Sequence, residues 1–262
     1  MADAKISFTD GAAYERLMGV WSRFAGEIFL DWLEPPSDLR WIDIGCGNGA
    51  FTEVLVDRCN PVEVQGIDPS EEQLIFARTR PASRVAEFRR GDAMALPFPA
   101  GRFDAAVMAL VVVFVPDPAR GVEEMVRVVR PGGIVATYVW DMVGGGFPLD
   151  PILGEMRAMG LAPPRPPQVD VSRLKALQDL WTGAGLEAVE VREIAVTRTF
   201  ADFDDFWAIN TKSPMLAPTL AAMPSVDVER LKSRVRTGLP ADSQRHITCA
   251  ARAHAVKGRR LK

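Results

Sequence analysis

The sequence predicts an α/β fold, a doubly wound sheet with helices on both faces, from three observations. An apolar strand runs straight into a glycine turn in Arg40-Trp-Ile-Asp-Ile-Gly-Cys-Gly-Asn-Gly-Ala-Phe51. Strand-like and helix-like patterns then alternate to about residue 140. Polar turns follow several of the strand ends, where open α/β sheets bind ligands.

The elements follow in order. Trp41, Ile42 and Ile44 have the character of a strand buried on both faces. The segment AFTEVLVDRC after the turn spaces Phe51, Val54, Leu55 and Arg58 as a helix does. A second strand is read over Val62 to Ile67, ending on Asp68, and a helix over Glu71 to Arg80 with Ser70 as N-cap. Strands follow at Arg84 to Arg90 and Asp104 to Val112, then an amphipathic helix at Pro118 to Val129. Pro131-Gly132-Gly133 stops that helix and starts a strand over Ile134 to Trp140. Residues 141–169 hold GGG and APPRPP around a short helix (Pro151 to Met159) and read as a cap. A helix at Ser172 to Thr182 is closed by Gly183 and Gly185, and a strand covers Ala188 to Thr199. Residues 201–245 read as helical and irregular, and Ile247 to Val256 as a last strand.

Composition narrows the function classes. With 262 residues, 25% charged and 48% hydrophobic, the chain has the make-up of an ordinary globular protein. A net charge of -3 and no run of like charges argue against a nucleic-acid surface, and Lys257 to Lys262 reads as a frayed basic end. Three cysteines without metal spacing and only two histidines (His246, His254) predict neither a disulfide framework nor a metal site. MADAKISFTDG lacks a basic-then-apolar pattern and the longest apolar run, Ala105 to Val115, is too short to span a bilayer. A soluble, cytoplasmic chain without a membrane span is expected.

The glycine turn predicts a nucleotide-type cofactor site, because it lets a ligand approach the backbone closely. A dinucleotide fingerprint is G-x-G-x-x-G; here glycines fall at every second residue and Ala50 takes the third position. Asp68, 23 residues after Gly45, is placed to accept hydrogen bonds from ribose hydroxyls. Asp92 in the next strand-end turn can accept an adenine amine, with the backbone of Ala93 and Met94 flanking the ring.

WIDIGCGNGAF, GIDPSEEQL, RRGDAMALPFPAGRFDAAV, VPDP and MVRVVRPGGIVATYVWD, in this order and spacing, resemble class I S-adenosylmethionine-dependent methyltransferases. The nearest flavour is the group that includes ubiquinone/menaquinone-biosynthesis-type enzymes. The likeness covers residues 14–140, more weakly 187–199 and the ending ARAHAVKG. It implies a Rossmann-like sheet of seven strands with the last antiparallel, plus a helical cap. One methyltransferase domain then spans 1–262: a helical cover (1–35), a cofactor-binding core (36–140) and cap insertions (141–170 and 201–245). Segments 171–200 and 246–257 complete the sheet. The resemblance implies that Asp43, Gly45 and Gly47 hold the methionine end of the cofactor, Asp68 the ribose and Asp92 with Ala93 the adenine, with Cys46, Pro69 and Met94 as further cofactor-binding candidates. Leu110 would line the sulfonium side through its backbone. Tyr14, Trp21 and Arg23, on a leading segment that in the family folds over the cofactor, are candidate contacts; an amphipathic packing helix is the alternative. Where relatives often carry a histidine, this chain reads Val113.

Methyl transfer needs alignment and water exclusion more than acid or base groups. In the family the last strand runs antiparallel, which would put its start, with Gln244, Arg245 and His246, at the active-site rim and His254 toward the other end. His246 is the candidate base, against an exposed turn histidine. Trp140, Phe147, Met156, Met159, Trp207, Met215 and Met223 are candidate lining residues, with Trp140, Phe147 and Trp207 foremost. They favour a small apolar or aromatic acceptor over protein or nucleic acid. A non-catalytic cofactor-binding protein and an NAD-type oxidoreductase are the competing readings. Acceptor identity and oligomeric state are not written in the sequence.

Overall fold

Strands β1 (Arg40–Ile44), β2 (Glu63–Asp68), β3 (Ala86–Arg90), β4 (Phe103–Ala109) and β5 (Val129–Trp140) are parallel to one another. In the computed structural model, which describes residues 15–262, they join β6 (Glu187–Phe200) and β7 (Ile247–Arg259) in one sheet ordered β3-β2-β1-β4-β5-β7-β6. Strand β7 is antiparallel to both its neighbours. The chain order reverses between β1 and β4, so the crevice of this open sheet lies beyond their carboxyl ends.

Each face of the sheet has its own core. On one face lie α1 (Val20–Leu33), α2 (Ala50–Cys59) and α3 (Glu71–Ala77); on the other lie α4 (Pro118–Val128) and α6 (Leu174–Gly183). A one-turn π-helical segment, Glu15–Gly19, leads into α1. Trp21, Ala25, Phe29 and Leu33 recur every four residues along α1 and are buried, so one stripe of that helix is committed to the sheet. Gly26 lets it come close: a Cβ there would lie 2.9 Å from the Phe51 ring. Phe29 and Phe51 close around Tyr138 of β5 at centroid distances of 4.8 and 5.7 Å. On the opposite face Trp181 of α6 is fully buried and its indole N–H donates to Val135 O at 2.9 Å.

Helix α5 (Asp150–Ala158) and helices α7 (Phe203–Asn210), α8 (Ala217–Ala222) and α9 (Ser225–Gly238) form the cap. Strands β6 and β7 carry it. Trp140, the last residue of β5, pairs with Ala253, whereas β6 and β7 remain paired out to Phe200 and Ile247. The resulting two-stranded ribbon outruns the sheet and holds α7 to α9 over the carboxyl edge. Leu231 and Val235 of α9 are buried, and Arg234 pairs with Glu155 of α5 at 2.6 Å. Among the described residues no helix is long and apolar enough to cross a membrane.

Several boundaries differ from the sequence expectation. Strand β4 stops at Ala109 because Leu110 turns left-handed (φ 66), and Val112–Phe114 forms a 3-10 turn. Apolar periodicity cannot separate a buried turn from a buried strand. Strand β5 begins at Val129, before Pro131-Gly132-Gly133: Phe103 pairs with Val129, then Ala105 with Ile134, so the glycines form a bulge inside the strand. Strand β7 runs to Arg259, and Arg260 beyond it donates to Arg127 O at 3.0 Å, so the basic end is tied down and not frayed as expected. Trp181→Ala leaves a cavity and removes the indole bond to Val135 O; urea unfolding should show a loss of about 3–5 kcal/mol with m unchanged.

Candidate functional site

The glycine turn after β1 is built around Asp68, the last residue of β2. Gly47 N donates to Asp68 Oδ2 at 2.9 Å and Ser70 N to Oδ1 at 2.8 Å, so one carboxylate joins the turn to the start of α3. Ser70 caps that helix by accepting from Gln73 N at 3.3 Å. Gly45 N and Cys46 N both donate to Ile67 O, Gly49 N to Cys46 O and Ala50 N to Asn48 Oδ1. The N–H groups of Gly45, Cys46, Gly47, Gly49 and Ala50 are therefore spent on the protein. With Asp43 and Asp68 beside them, they form an acidic cradle and not an anion nest, which disfavours a dinucleotide pyrophosphate.

Two observations show that the cradle fits a ligand with cationic and hydroxyl groups. Asp43 is fully buried; Thr52 Oγ1 donates to its Oδ2 at 2.6 Å while its Oδ1 has no partner among the described residues. Burial pushes the Asp43 carboxyl up to about 7, with the Thr52 hydroxyl opposing and the Asp68 charge adding. Burial likewise raises Asp68, against the N–H groups of Ser70 and Gly47. Gly47 has φ 52, and a Cβ there would meet nothing nearer than 3.9 Å, so the space above it is open. Gly45 differs: with φ 74, a Cβ would run into the Val111 methyl groups.

A cleft adjoins the cradle: Val111 packs under Gly45, and its chain neighbour Leu110 lines the cleft. Its cavity volume is about 40 Å³. Leu110, Val113, Phe114, Val139 and Trp140 form its floor at the ends of β4 and β5. Met18, Met142, Phe147, Ser213 and Met215 close it from the N-terminal segment and the cap. None of these side chains titrates as a carboxylate, imidazole or ammonium.

The structure distributes the expected residues unevenly. Asp43, Gly45, Gly47, Asp68 and Leu110 converge on the cradle and its junction with the cleft. Cys46 lies at the turn, but its Sγ packs where a Cβ on Gly66 would be, 3.0 Å away, so the thiol points into the sheet. Pro69 is exposed beside Asp68. Asp92 folds an Asx turn, accepting from Met94 N at 2.9 Å, with Ala93 and Met94 half-buried. Trp21 is buried against Trp140, with centroids 6.3 Å apart. Tyr14 lies outside the described residues.

Arg23 is turned away from the site: it faces solvent and pairs with Glu53 at 3.4 Å. Trp140 and Phe147 line the cleft; Trp207 does not, being stacked on Phe203 at 6.2 Å. His246 is not at the rim. It pairs with Asp242, and it lies seven positions before Ala253, the partner of Trp140, on the order of 20 Å along the strand. The ribbon's extra length carries the start of β7 past the sheet edge. His254, expected at the other end, instead pairs with Val139 and is buried, its Nδ1 2.7 Å from Ser172 O.

Three supporting clusters escaped sequence reasoning. Arg80 is 8% exposed, donates to Asn48 O at 2.6 Å and Glu53 at 2.6 Å, and pairs with Glu15. Asn48 Nδ2 also donates to Glu15 at 3.0 Å, so the N-terminal segment is fastened to the glycine turn. Glu124 of α4 accepts from Leu96 N at 2.8 Å, and Arg127 donates to the carbonyls of Leu96 and Phe98; together they hold the Asp92 loop. The Arg127 guanidinium keeps the Glu124 carboxyl below the usual range despite burial. Asp141 accepts from Arg252 and from Gly144 N (2.7 Å), folding the loop that presents Met142 and Phe147. Burial raises the Asp141 carboxyl, but those donors outweigh it and hold it below its ordinary value. A charged residue far along the chain gives no local pattern that marks such a partner.

Two predictions follow from the geometry. Gly45→Ala combines a left-handed φ with a clash and should cost about 3 kcal/mol or more in urea, whereas Gly47→Ala, with left-handed strain alone, should cost about 1–2 kcal/mol. Glu124→Ala strands Leu96 N–H and should speed hydrogen exchange across 92–98 about tenfold while the sheet stays protected.

Residues 42–137 match the family model of the methyltransferase domain. A 2-methyl-6-phytyl-1,4-hydroquinone methyltransferase from Oryza sativa subsp. japonica is 41% identical over 108 residues, 40% of this chain and 31% of that one. A demethylmenaquinone methyltransferase from Desulfitobacterium hafniense is 34% identical over 110 residues, 40% of this chain and 44% of that one. The match thus spans less than half the length of these relatives. Among solved structures, the YcgJ protein from Bacillus subtilis superposes with a TM-score of 0.61 at 17% identity, over 91% of this chain and 98% of that one, which shows the fold. Residues 42–137, which carry the cradle and the Leu110 to Phe114 part of the cleft floor, are therefore similar to methyltransferase domains.

Proposed function

We propose that this chain transfers a methyl group from S-adenosylmethionine to a small, largely apolar aromatic acceptor of the hydroquinone type. The observation that carries this reading is the dipeptide Leu110–Val111, by which the acidic cradle adjoins a cleft whose lining, among the described residues, has no titratable side chain. In the cradle, Asp43 Oδ1 takes the amino group of the methionine end, Asp68 the ribose hydroxyls and the Asp92–Met94 loop the adenine. When bound, S-adenosylmethionine supplies an electrophilic methyl group on a positively charged sulfur. Leu110, held left-handed by its N–H to Tyr138 O at 2.8 Å, sets the boundary across which the methyl passes. A non-glycine residue in that conformation costs about 1–2 kcal/mol, the kind of strain retained where function needs the geometry.

The cleft residues align the acceptor and keep water out. With Val113 at the floor and no base among the described lining residues, the proton lost by the acceptor passes to solvent. The hydroquinone assignment rests on the apolar lining and on the acceptors named for the two relatives above. Three buried free thiols suit the reducing cytoplasm, to which we assign the reaction.

Calorimetric titration tests the cofactor: S-adenosylhomocysteine should bind and NAD should not. Methylated product should appear with reduced naphthoquinones and not with nucleic acid; no product with any quinol or phenol would contradict the acceptor reading. Asp43→Asn, which retains the Thr52 contact, should weaken S-adenosylmethionine about tenfold or more through loss of a charge-assisted hydrogen bond. At pH 6 the wild-type Asp43 holds a proton that a bound ammonium expels, so calorimetry in buffers of different ionisation heat should detect proton release, absent in the variant. Without ligand, the folded chain keeps this proton between the unfolded value of 3.8 and about 7 while the unfolded chain has lost it. Stability should therefore fall as pH rises through that window, by on the order of 4 kcal/mol from this group, and level off above it. Asp43→Asn should flatten the profile.

A further inference from the structure

Among the described residues, the polar side chains lining the cleft are Trp140 and Ser213. Trp140 is 3% exposed and its indole N–H has no hydrogen-bond partner among the described residues. An orphaned buried donor is costly, and such a group calls for a ligand or solvent partner. Ser213 is 2% exposed and its Oγ accepts from Met215 N at 3.2 Å, leaving the hydroxyl proton to donate. Trp140 belongs to the end of β5, and Ser213 to the connection between α7 and α8. The floor and the cap each contribute one lining residue that carries a donor.

Both groups donate, and neither carries charge. A cationic amine would meet no carboxylate in this lining, and a carboxylate or phosphate would meet no counter-ion; either would be buried unpaired. A neutral molecule presenting oxygen lone pairs meets both donors and leaves nothing unpaired. The remaining wall is aliphatic, aromatic or thioether and accepts a ring.

We propose that the Trp140 indole N–H and the Ser213 hydroxyl are the acceptor-reading pair of this site. They dock oxygen on a neutral oxygenated ring and so fix which edge of that ring faces Leu110. They position the acceptor and take no part in moving its proton. The proposal deepens the methyl-transfer reading and rests on it for the identity of the cleft.

The test compares two probes of similar shape, 1-naphthol and 1-methylnaphthalene, which differ in a hydroxyl against a methyl. Dissociation constants are measured by ligand-observed NMR with and without S-adenosylhomocysteine, whose own affinity is titrated in parallel. Wild type should prefer 1-naphthol about tenfold, the scale of one or two net hydrogen bonds. Trp140→Phe keeps an apolar ring without the donor and should cut that preference at least about threefold; Ser213→Ala should reduce it independently, and the double variant should abolish it. S-adenosylhomocysteine affinity should stay at the wild-type value throughout. No preference in wild type, or an unchanged preference in both single variants, overturns the pair. If Trp140→Phe does not fold, an unchanged preference in Ser213→Ala overturns it alone. Absence of S-adenosylhomocysteine binding would instead remove the methyl-transfer reading, and the probe ratio still decides the donor pair.

Discussion

The site depends on the Asp68 carboxylate being held by two backbone N–H groups, one from the glycine turn and one from the start of α3. That single group joins the ends of β1 and β2 at the edge where the strand order reverses. It also sets the character of the cradle. A turn whose N–H groups were unspent would present a positive nest to a phosphate. Here they are satisfied from within, and the charge facing the ligand is negative. Burial of Asp43 beside it sharpens the preference, since a buried carboxylate gains most from a cationic partner.

Around this acidic point the structure arranges two dissimilar compartments that share a wall. Val111 packs beneath Gly45 while Leu110 turns into the cleft, so one dipeptide separates carboxylates from thioethers and aromatic rings. The clasps that hold the compartments are arginines: Arg80 for the N-terminal segment, Arg127 for the Asp92 loop and Arg252 for the loop after β5. Each reaches backbone carbonyls or carboxylates with several donors at once, which suits a guanidinium and not an ammonium.

The legible part of the fold was the part governed by local rules. Strand β1, the glycine turn, α2 and the Ser70 cap follow from residues within a few positions of one another, and α2 spans Ala50–Cys59 as its apolar spacing required. Asp68 and Asp92 were legible because strand ends fix where their backbone must be. What was lost depended on lengths and distant partners. Histidine 246 was misplaced because nothing local states that β6 and β7 outrun β5. Trp207 was misread because an aromatic on a cap helix packs equally well on a neighbour such as Phe203. Met18, Met142 and Ser213 reach the cleft from three separate segments that only the packed cap brings together.

The most direct test of the central claim is a crystal structure with S-adenosylhomocysteine bound. The account predicts its amino group about 3 Å from Asp43 Oδ1, its ribose hydroxyls on Asp68 and its sulfur directed past Leu110 into the cleft. A ligand carboxylate or phosphate seated at Asp43 and Asp68, or a sulfur facing away from Leu110, would contradict it.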